Sequence, residues 1–343
     1  MKTNKSKNGI DFGSNSALPT VAIITTGGTI AQKPDPVTGA CIPFVSGFEL
    51  ISNNPLLLTV ANIKLIEFSN IDSSHMTPNM WFELSKLVNK ILQDDKIHGV
   101  VITHGTDTMP EGAYFLDLTV NSDKSVVFTG TMRNAFALSF DGPANLYNAV
   151  VQASSKNAHN WGVTINLNQY IHSARDVSKT HTTNMQTFSS GIRGCLGYVE
   201  RNNVLRFHDR PHRLQIPLPN KLAKIPLIKI YAGDDGQLVR TIAKFGAQGA
   251  VIEVLGAGNV NINVYKAIKY LISKKIAVVI TSQVHEGGVY PIYGAQGGGA
   301  TLQKLKTVLG GDLSGNKARI LLMLLLPHVG SNHKQLHKYF SEC

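Results

Sequence analysis

The sequence predicts an α/β fold in two parts, a larger N-terminal parallel α/β domain followed by a smaller C-terminal parallel α/β domain. Three observations carry this expectation. From Val21 onward, short β-rich apolar runs alternate with amphipathic stretches of helical period, which is how a parallel sheet with crossover helices reads. Residues 206–224, with Pro211, Pro217 and Pro219, mixed charge and no period, interrupt the alternation before it restarts. The 343 residues also exceed the ~250 to 300 at which a single core stops growing.

Residues 1–20 read as a flexible tail, carrying Lys2, Lys5 and Lys7 and then Gly, Ser and Asn. The N-terminal domain then covers residues 21–205. Its strands are expected at residues 21–25, 100–103 and 126–129, each ending in Gly, Thr or His as buried strands do where they meet functional loops. A helix lies between them. Thr77 caps it, Pro78 occupies its first turn, and Met80, Trp81, Leu84, Leu87, Val88, Ile91 and Leu92 recur on one face. After the linker at 206–224, the C-terminal domain spans 225–343. It has strands at 225–231, 250–255 and 276–281 and helices near 237–245 and 262–273. No fixed-period repeat or low-complexity tract is present.

Composition narrows the function classes. Apolar residues make up 43% and charged residues 16%, and the mean hydropathy is near zero, so a disordered or collagen-like chain is excluded. No run reaches the ~18 to 20 apolar residues of a membrane helix, so no membrane contact is expected. The start lacks the apolar core of a signal peptide, and the cytoplasm is the expected compartment. Cys41, Cys195 and Cys343 are widely spaced without a CxxC, which suggests neither a disulfide framework nor a metal site. The net charge of +11 is uneven: residues 1–200 hold 14 Lys and Arg against 15 Asp and Glu, residues 201–343 hold 19 against 7. Lys244, Lys266, Lys269, Lys304 and Lys306 are scattered without interleaved aromatics, the pattern of a solvated basic surface and not of a specific nucleic-acid site.

The chemistry-bearing residues cluster at strand ends. Thr25-Thr26-Gly27-Gly28-Thr29-Ile30-Ala31 follows the first strand, where paired glycines let backbone N–H groups approach a ligand oxygen. It lacks the Lys-Ser/Thr of a phosphate loop, and Gly256-Ala257-Gly258 lacks the third glycine of a dinucleotide fingerprint, so phosphate and NAD readings lose support. Taken alone, the segment equally fits a Gly-Gly turn capped by threonines. A second strand runs into His104-Gly105-Thr106-Asp107-Thr108-Met109, placing another threonine and a carboxylate at a strand end. A hydroxyl needs a base to become a nucleophile. Lys179, in Arg175-Asp176-Val177-Ser178-Lys179-Thr180, is the candidate, and Asp107 suits the amino group of a zwitterionic substrate; a plain surface lysine remains the other reading of Lys179.

On these two segments the chain resembles the bacterial-type L-asparaginase and glutaminase-asparaginase family. The resemblance runs from Val21 to about Pro327 and extends to Asp141-Gly142-Pro143-Ala144-Asn145-Leu146, Arg175-Asp176-Val177 and Gly311-Asp312-Leu313-Ser314-Gly315-Asn316-Lys317. It implies hydrolysis of L-asparagine to L-aspartate and ammonia, with weak action on glutamine, without metal or cofactor. Thr29 would be the nucleophile, beside Gly28, and Thr106, Asp107 and Lys179 the activating set. Ser73 would hold the substrate α-carboxylate and Asp107 its α-amino group, with Ser74 beside them in the substrate-binding set, where one α-amino contact is weakened or lost. Asn259 would come from a neighbouring subunit, which implies a homodimer or homotetramer.

The sequence departs from the family pattern at three places. Residues 31–44 contain no tyrosine where many exported members carry one on the mobile loop. Ser74 stands where a glutamine is usual. Residues 282–294 resemble a different branch, and Tyr293 is the expected functional replacement for the loop tyrosine. Two other readings are a non-catalytic amino-acid-binding paralogue and the asparaginase-like subunit of a tRNA-dependent amidotransferase. The second carries an extra N-terminal domain, for which a Gly-Gly-Thr motif near residue 26 is expected to leave no space.

Overall fold

The computed structural model describes residues 3–6, 9–35, 38, 41–43, 45–210 and 213–343, in two compact units, Met1–Gln215 and Ile216–Cys343. The first unit is built on a sheet of ten strands among the described residues. Their order is Thr3–Ser6, Gly9–Phe12, Asn62–Ile71, Thr20–Gly27, Ile97–Thr103, Ser125–Thr129, Val163–Leu167, Tyr170–Ser173, Gly197–Glu200 and Asn203–Arg206. The five from Asn62–Ile71 to Val163–Leu167 run parallel, and the outer strands pair antiparallel. The α/β class is the expected one. The antiparallel edges were not legible, because short strands joined by tight turns leave no crossover helix in the sequence.

Strand order positions the functional loops. Thr20–Gly27 comes first among the parallel strands yet lies between Asn62–Ile71 and Ile97–Thr103, so successive connections leave it in opposite directions. Ligand crevices in open α/β sheets form at such a switch point, beyond the carboxyl ends of the strands. The strands are buried on both faces. Val21, Ile23, Val101 and Val127 pack with Leu146, Ala149, Val150 and Ala153 of helix Gly142–Ser154. Ala22, Ile24, Val100 and Ile102 alternate with them and are equally buried. Helix Pro78–Leu92 buries Trp81, Leu84, Ser85, Val88 and Leu92, and the Thr77 hydroxyl accepts from the Met80 amide at 3.3 Å, as its capping pattern predicts.

Two expectations for the first unit change. Residues 1–20 are not a loose tail where they are described. Gly9–Phe12 joins the sheet edge against Asn62–Ile71, Phe12 is fully buried with its ring 5.4 Å from Phe48, and the Asn62 side chain bonds the backbone of Asn15 in both directions. One aromatic among polar residues supplies the burial that tail composition hides. Met1, Lys2, Lys7 and Asn8 lie outside the described residues. The start of the expected linker is likewise packed onto the first unit. Arg210 grips Asp117 of helix Met109–Thr119 through both terminal nitrogens, at 2.8 and 2.7 Å, and Arg213 donates to the Val120 carbonyl at 2.7 Å. Pro211 and His212 fall outside the described residues.

The second unit has a parallel sheet in the order Leu227–Lys229, Gly249–Val254, Ala277–Ser282 and Val308–Leu309. Helix Ile262–Ser273 buries Val264, Ala267, Ile268 and Leu271 against it. Residues 237–245, expected as one helix, form an α-helical turn at Gln237–Thr241 continued by a 3-10 turn at Ile242–Phe245. Lys244, Lys266, Lys269, Lys304 and Lys306 are all exposed. Among the described residues, no helix is long and apolar enough to cross a membrane.

Candidate active site

Four strand ends of the first unit meet in one small cavity. It has a volume of about 160 Å3 and is lined by Gly28, Thr29, Asp72, Ser73, Gly105, Thr106, Asp107, Thr131, Met132, Lys179 and Thr182. Glycine lets the loops come this close. Gly27 and Gly28 have φ of +106° and +83°, in the region that favours glycine. A Cβ on Gly27 would lie 2.4 Å from both the amide nitrogen and the carbonyl oxygen of Ile71, and a Cβ on Gly105 would lie 2.5 Å from Ser73 Oγ. The Gly28 amide donates to the Ile71 carbonyl at 2.9 Å, the Thr26 hydroxyl to the Thr103 carbonyl at 2.8 Å, and the Thr108 hydroxyl to the Ser73 carbonyl at 2.8 Å. These three loops are therefore cross-tied by backbone contacts, and the hydroxyls they carry are held to one another's neighbourhood.

The sharpest contact is made by Lys179. Its Nζ lies 3.0 Å from Thr106 Oγ1 and 2.6 Å from Asp107 Oδ1. The lysine comes from a short strand, Ser178–Lys179, paired with Phe188–Ser189, and its side chain is 18% exposed against 64% for Asp107. Thr29 opens a 3-10 turn, Thr29–Ala31, beyond Gly28. Among the described residues, the Thr29 and Thr106 amides donate to no protein acceptor. Two N–H donors are thereby left beside two hydroxyls, an arrangement suited to stabilising an oxyanion.

Beneath this surface sits His104, fully buried. Its Nδ1 lies 2.7 Å from the Gly105 carbonyl, and Nε2 has no partner among the described residues. Burial pushes its pKa down to about 4, against the opposing pull of the Gly105 carbonyl, so the ring is neutral at ordinary pH.

Of the residues proposed from sequence, Gly28, Thr29, Ser73, Thr106, Asp107 and Lys179 line the cavity together. Ser74 does not line it. It is exposed, and its amide donates to Asp72 Oδ1 at 2.8 Å. Asn259 and Tyr293 belong to the second unit: Asn259 exchanges backbone hydrogen bonds with Leu255, and Tyr293 is 51% exposed with its carbonyl accepting from the Ala300 amide.

Sequence reasoning missed Asp72, Thr131, Met132 and Thr182 as lining residues. Thr131 and Met132 follow strand Ser125–Thr129, so the strand-end rule that found Thr29 and Thr106 pointed to them too. They are fixed by Asp141, whose carboxylate accepts from the Thr131 hydroxyl, the Met132 and Arg133 amides at 3.1 and 3.0 Å, and Asn145 Nδ2 at 2.9 Å. Asp141 opens one of the family-like segments and there had no role. The Asp72 carboxyl is held below the usual carboxylate range, first by the Ser74 backbone N–H, then by the Ser74 hydroxyl and Gln32.

Comparison with known proteins covers almost the whole chain. Residues 20–213 match the family described as "Asparaginase, N-terminal", and residues 224–340 the "Glutaminase/Asparaginase C-terminal domain". The chain is 37% identical over 338 residues to "L-asparaginase 2" of Escherichia coli K12, covering 96% of this chain and 95% of that protein. It is 34% identical over 333 residues to "L-asparaginase 2" of Bacillus subtilis, covering 95% and 87%. Among solved structures, a probable cytoplasmic L-asparaginase from Campylobacter jejuni superposes with a TM-score of 0.86 at 36% identity, covering 95% of this chain and all of that one.

Proposed function

The chain belongs to the asparaginase family, and from that premise we propose that it hydrolyses the side-chain amide of L-asparagine through a threonine ester. The observation that carries the reading is the contact of Lys179 Nζ with both Thr106 Oγ1 and Asp107 Oδ1, in a cavity that also holds Thr29. In the proposed reaction Thr29 Oγ1 bonds to the amide carbon, and the carbonyl electron pair moves onto oxygen, facing the Thr29 and Thr106 amides. Collapse of this adduct breaks the carbon–nitrogen bond. The threonine proton travels through Thr106 and Lys179 to the leaving nitrogen, which departs as ammonia. Water then attacks the ester, aspartate leaves and Thr29 recovers its proton, so one water is consumed for each ammonia released. Ser73 and Asp107 receive the α-carboxylate and α-ammonium ends.

Further parts of this reading rest on family membership. Working enzyme is taken to be a homo-oligomer, dimer or tetramer, with Asn259 serving the site of a neighbouring copy. Tyr293 is taken to supply the hydroxyl that residues 31–44 lack, relaying the Thr29 proton into the route through Thr106 and Lys179. The cytoplasm is the proposed compartment, supported by the likeness to the Campylobacter jejuni protein. A binding protein without turnover is not favoured, since both hydroxyls, the carboxylate and the lysine share one cavity. The test is ammonia release from L-asparagine and L-glutamine at matched concentrations. Asparagine is expected to react faster, by a margin on the order of the 10- to 200-fold that one methylene supports. Release from neither substrate overturns the reading.

A further inference from the structure

We propose that Asp72 joins Asp107 in recognising the α-ammonium group of the substrate, with Gln32 holding the Asp72 carboxylate in place. The inference rests on the asparaginase reading and adds a residue to the same site.

Charge in the cavity leads to it. Asp107 lies 2.6 Å from Lys179 Nζ, so its negative charge is already met by a cation. Asp72 lines the same cavity, and its hydrogen-bond donors are all neutral, the Ser74 amide at 2.8 Å on Oδ1, the Ser74 hydroxyl, and Gln32 Nε2 at 3.2 Å on Oδ2. Among the described residues it forms no ion pair with lysine or arginine. A carboxylate has about four lone-pair sites, and these three donors leave one open. The Ser74 amide also keeps the carboxyl in its charged form. The cavity thus holds one carboxylate charge in excess of its cation.

Gln32 gives the second observation. It is buried, directly after the Thr29–Ala31 turn, and it aims its amide at the cavity's carboxylate from a position 40 residues distant in sequence. A buried amide needs a partner, and here the partner is the group being positioned. Asp72 also directly precedes Ser73. The α-ammonium and α-carboxylate of an amino acid share one carbon, so consecutive residues suit the two ends, and the side-chain amide is left to Thr29.

The experiment compares L-asparagine with succinamic acid, which has hydrogen in place of the α-ammonium group, in parent, Asp72→Asn and Gln32→Met. Asparagine at position 72 caps a turn as well as aspartate does and lacks the charge. For Asp72→Asn, kcat/KM on asparagine is expected to fall roughly 10- to 100-fold, mostly through KM, as loss of a charged hydrogen bond implies. On succinamic acid it should hold steady or rise. Gln32→Met keeps the bulk without the donor, and it should shift the ratio the same way by less. An unchanged asparagine-to-succinamic acid ratio in folded Asp72→Asn overturns the proposal and leaves Asp72 as a turn cap. If that variant does not fold, the Gln32→Met ratio decides. If the parent itself does not release ammonia from asparagine, the asparaginase reading fails separately. Calorimetric binding of L-aspartate against succinate, in parent and Asp72→Asn, then decides this proposal by the same ratio.

Discussion

Gly28 and Gly105 meet back to back, so that a Cβ on Gly28 would lie 2.3 Å from the Gly105 amide nitrogen and 2.4 Å from its Cα. The atoms in the way are backbone, which has no rotamer to yield. Gly194 has nearly the same conformation, φ 69° and ψ −178° against 83° and −177°, but among the described residues nothing stands within 4 Å of its Cβ position. Gly28→Ala is therefore expected to cost roughly 2 to 5 kcal/mol, strain plus collision, and Gly194→Ala only the strain of roughly 1 to 3. Urea unfolding measures both. Equal losses would mean that the two loops part easily, and the close approach beneath Thr29 would lose its importance.

The Asp117–Arg210 pair predicts that the segment before Gln215 is a structural part of the first unit. Asp117 is buried, accepts both Arg210 nitrogens and also takes the Val163 amide at 3.0 Å. Arg210→Met removes the cation that hydrogen-bonds this buried carboxylate and leaves only Arg213 nearby, and the expected loss is about 3 kcal/mol. A loss under about 1 kcal/mol, the range of an exposed pair, would show that water already reaches the site.

Acid sensitivity follows from two buried histidines. Burial lowers the pKa of His104 and of His172 to about 4 from an ordinary 6.5. Folded-state values lie below unfolded ones, so between these limits the unfolded chain binds protons that the folded protein refuses. Stability is complete above pH 6.5 and declines as pH falls toward 4, by roughly 3 kcal/mol for each ring. His172 accepts or donates one bond, to Ser190 Oγ at 2.9 Å. His172→Asn should flatten the decline between pH 6.5 and 4 by about half. A pH dependence identical to the parent's would assign the acid loss to other groups.

Much of this site was readable because its chemistry sits in contiguous segments. Gly27-Gly28-Thr29 and Gly105-Thr106-Asp107 each end a β-rich run, and the rule that ligands collect at such ends found both. Lys179 is 73 residues from Thr106 and was reached by chemical need and family resemblance, not by any local pattern. Asp72 and Asp141 were passed over because their roles depend on which distant groups arrive, Gln32 at one and the loop at Thr131 at the other. The same holds for the fold. Helix Pro78–Leu92 carries its own cap and stripe, whereas the edge strand Gly9–Phe12 shows a single buried aromatic and gains its structure from pairing with Asn62–Ile71. Signals written within a few residues survive in a sequence, and those written between distant ones do not.

The central claim is that the Thr29 hydroxyl carries the reaction. Ammonia release from L-asparagine, followed in parent and Thr29→Ala under the same conditions, tests it most directly. Thr29 is a half-exposed residue at a turn, and alanine there removes one hydroxyl and one methyl without opening the core. The account predicts a folded variant whose kcat falls on the order of 10³-fold or more. A Thr29→Ala protein that releases ammonia at close to the parent rate would contradict it.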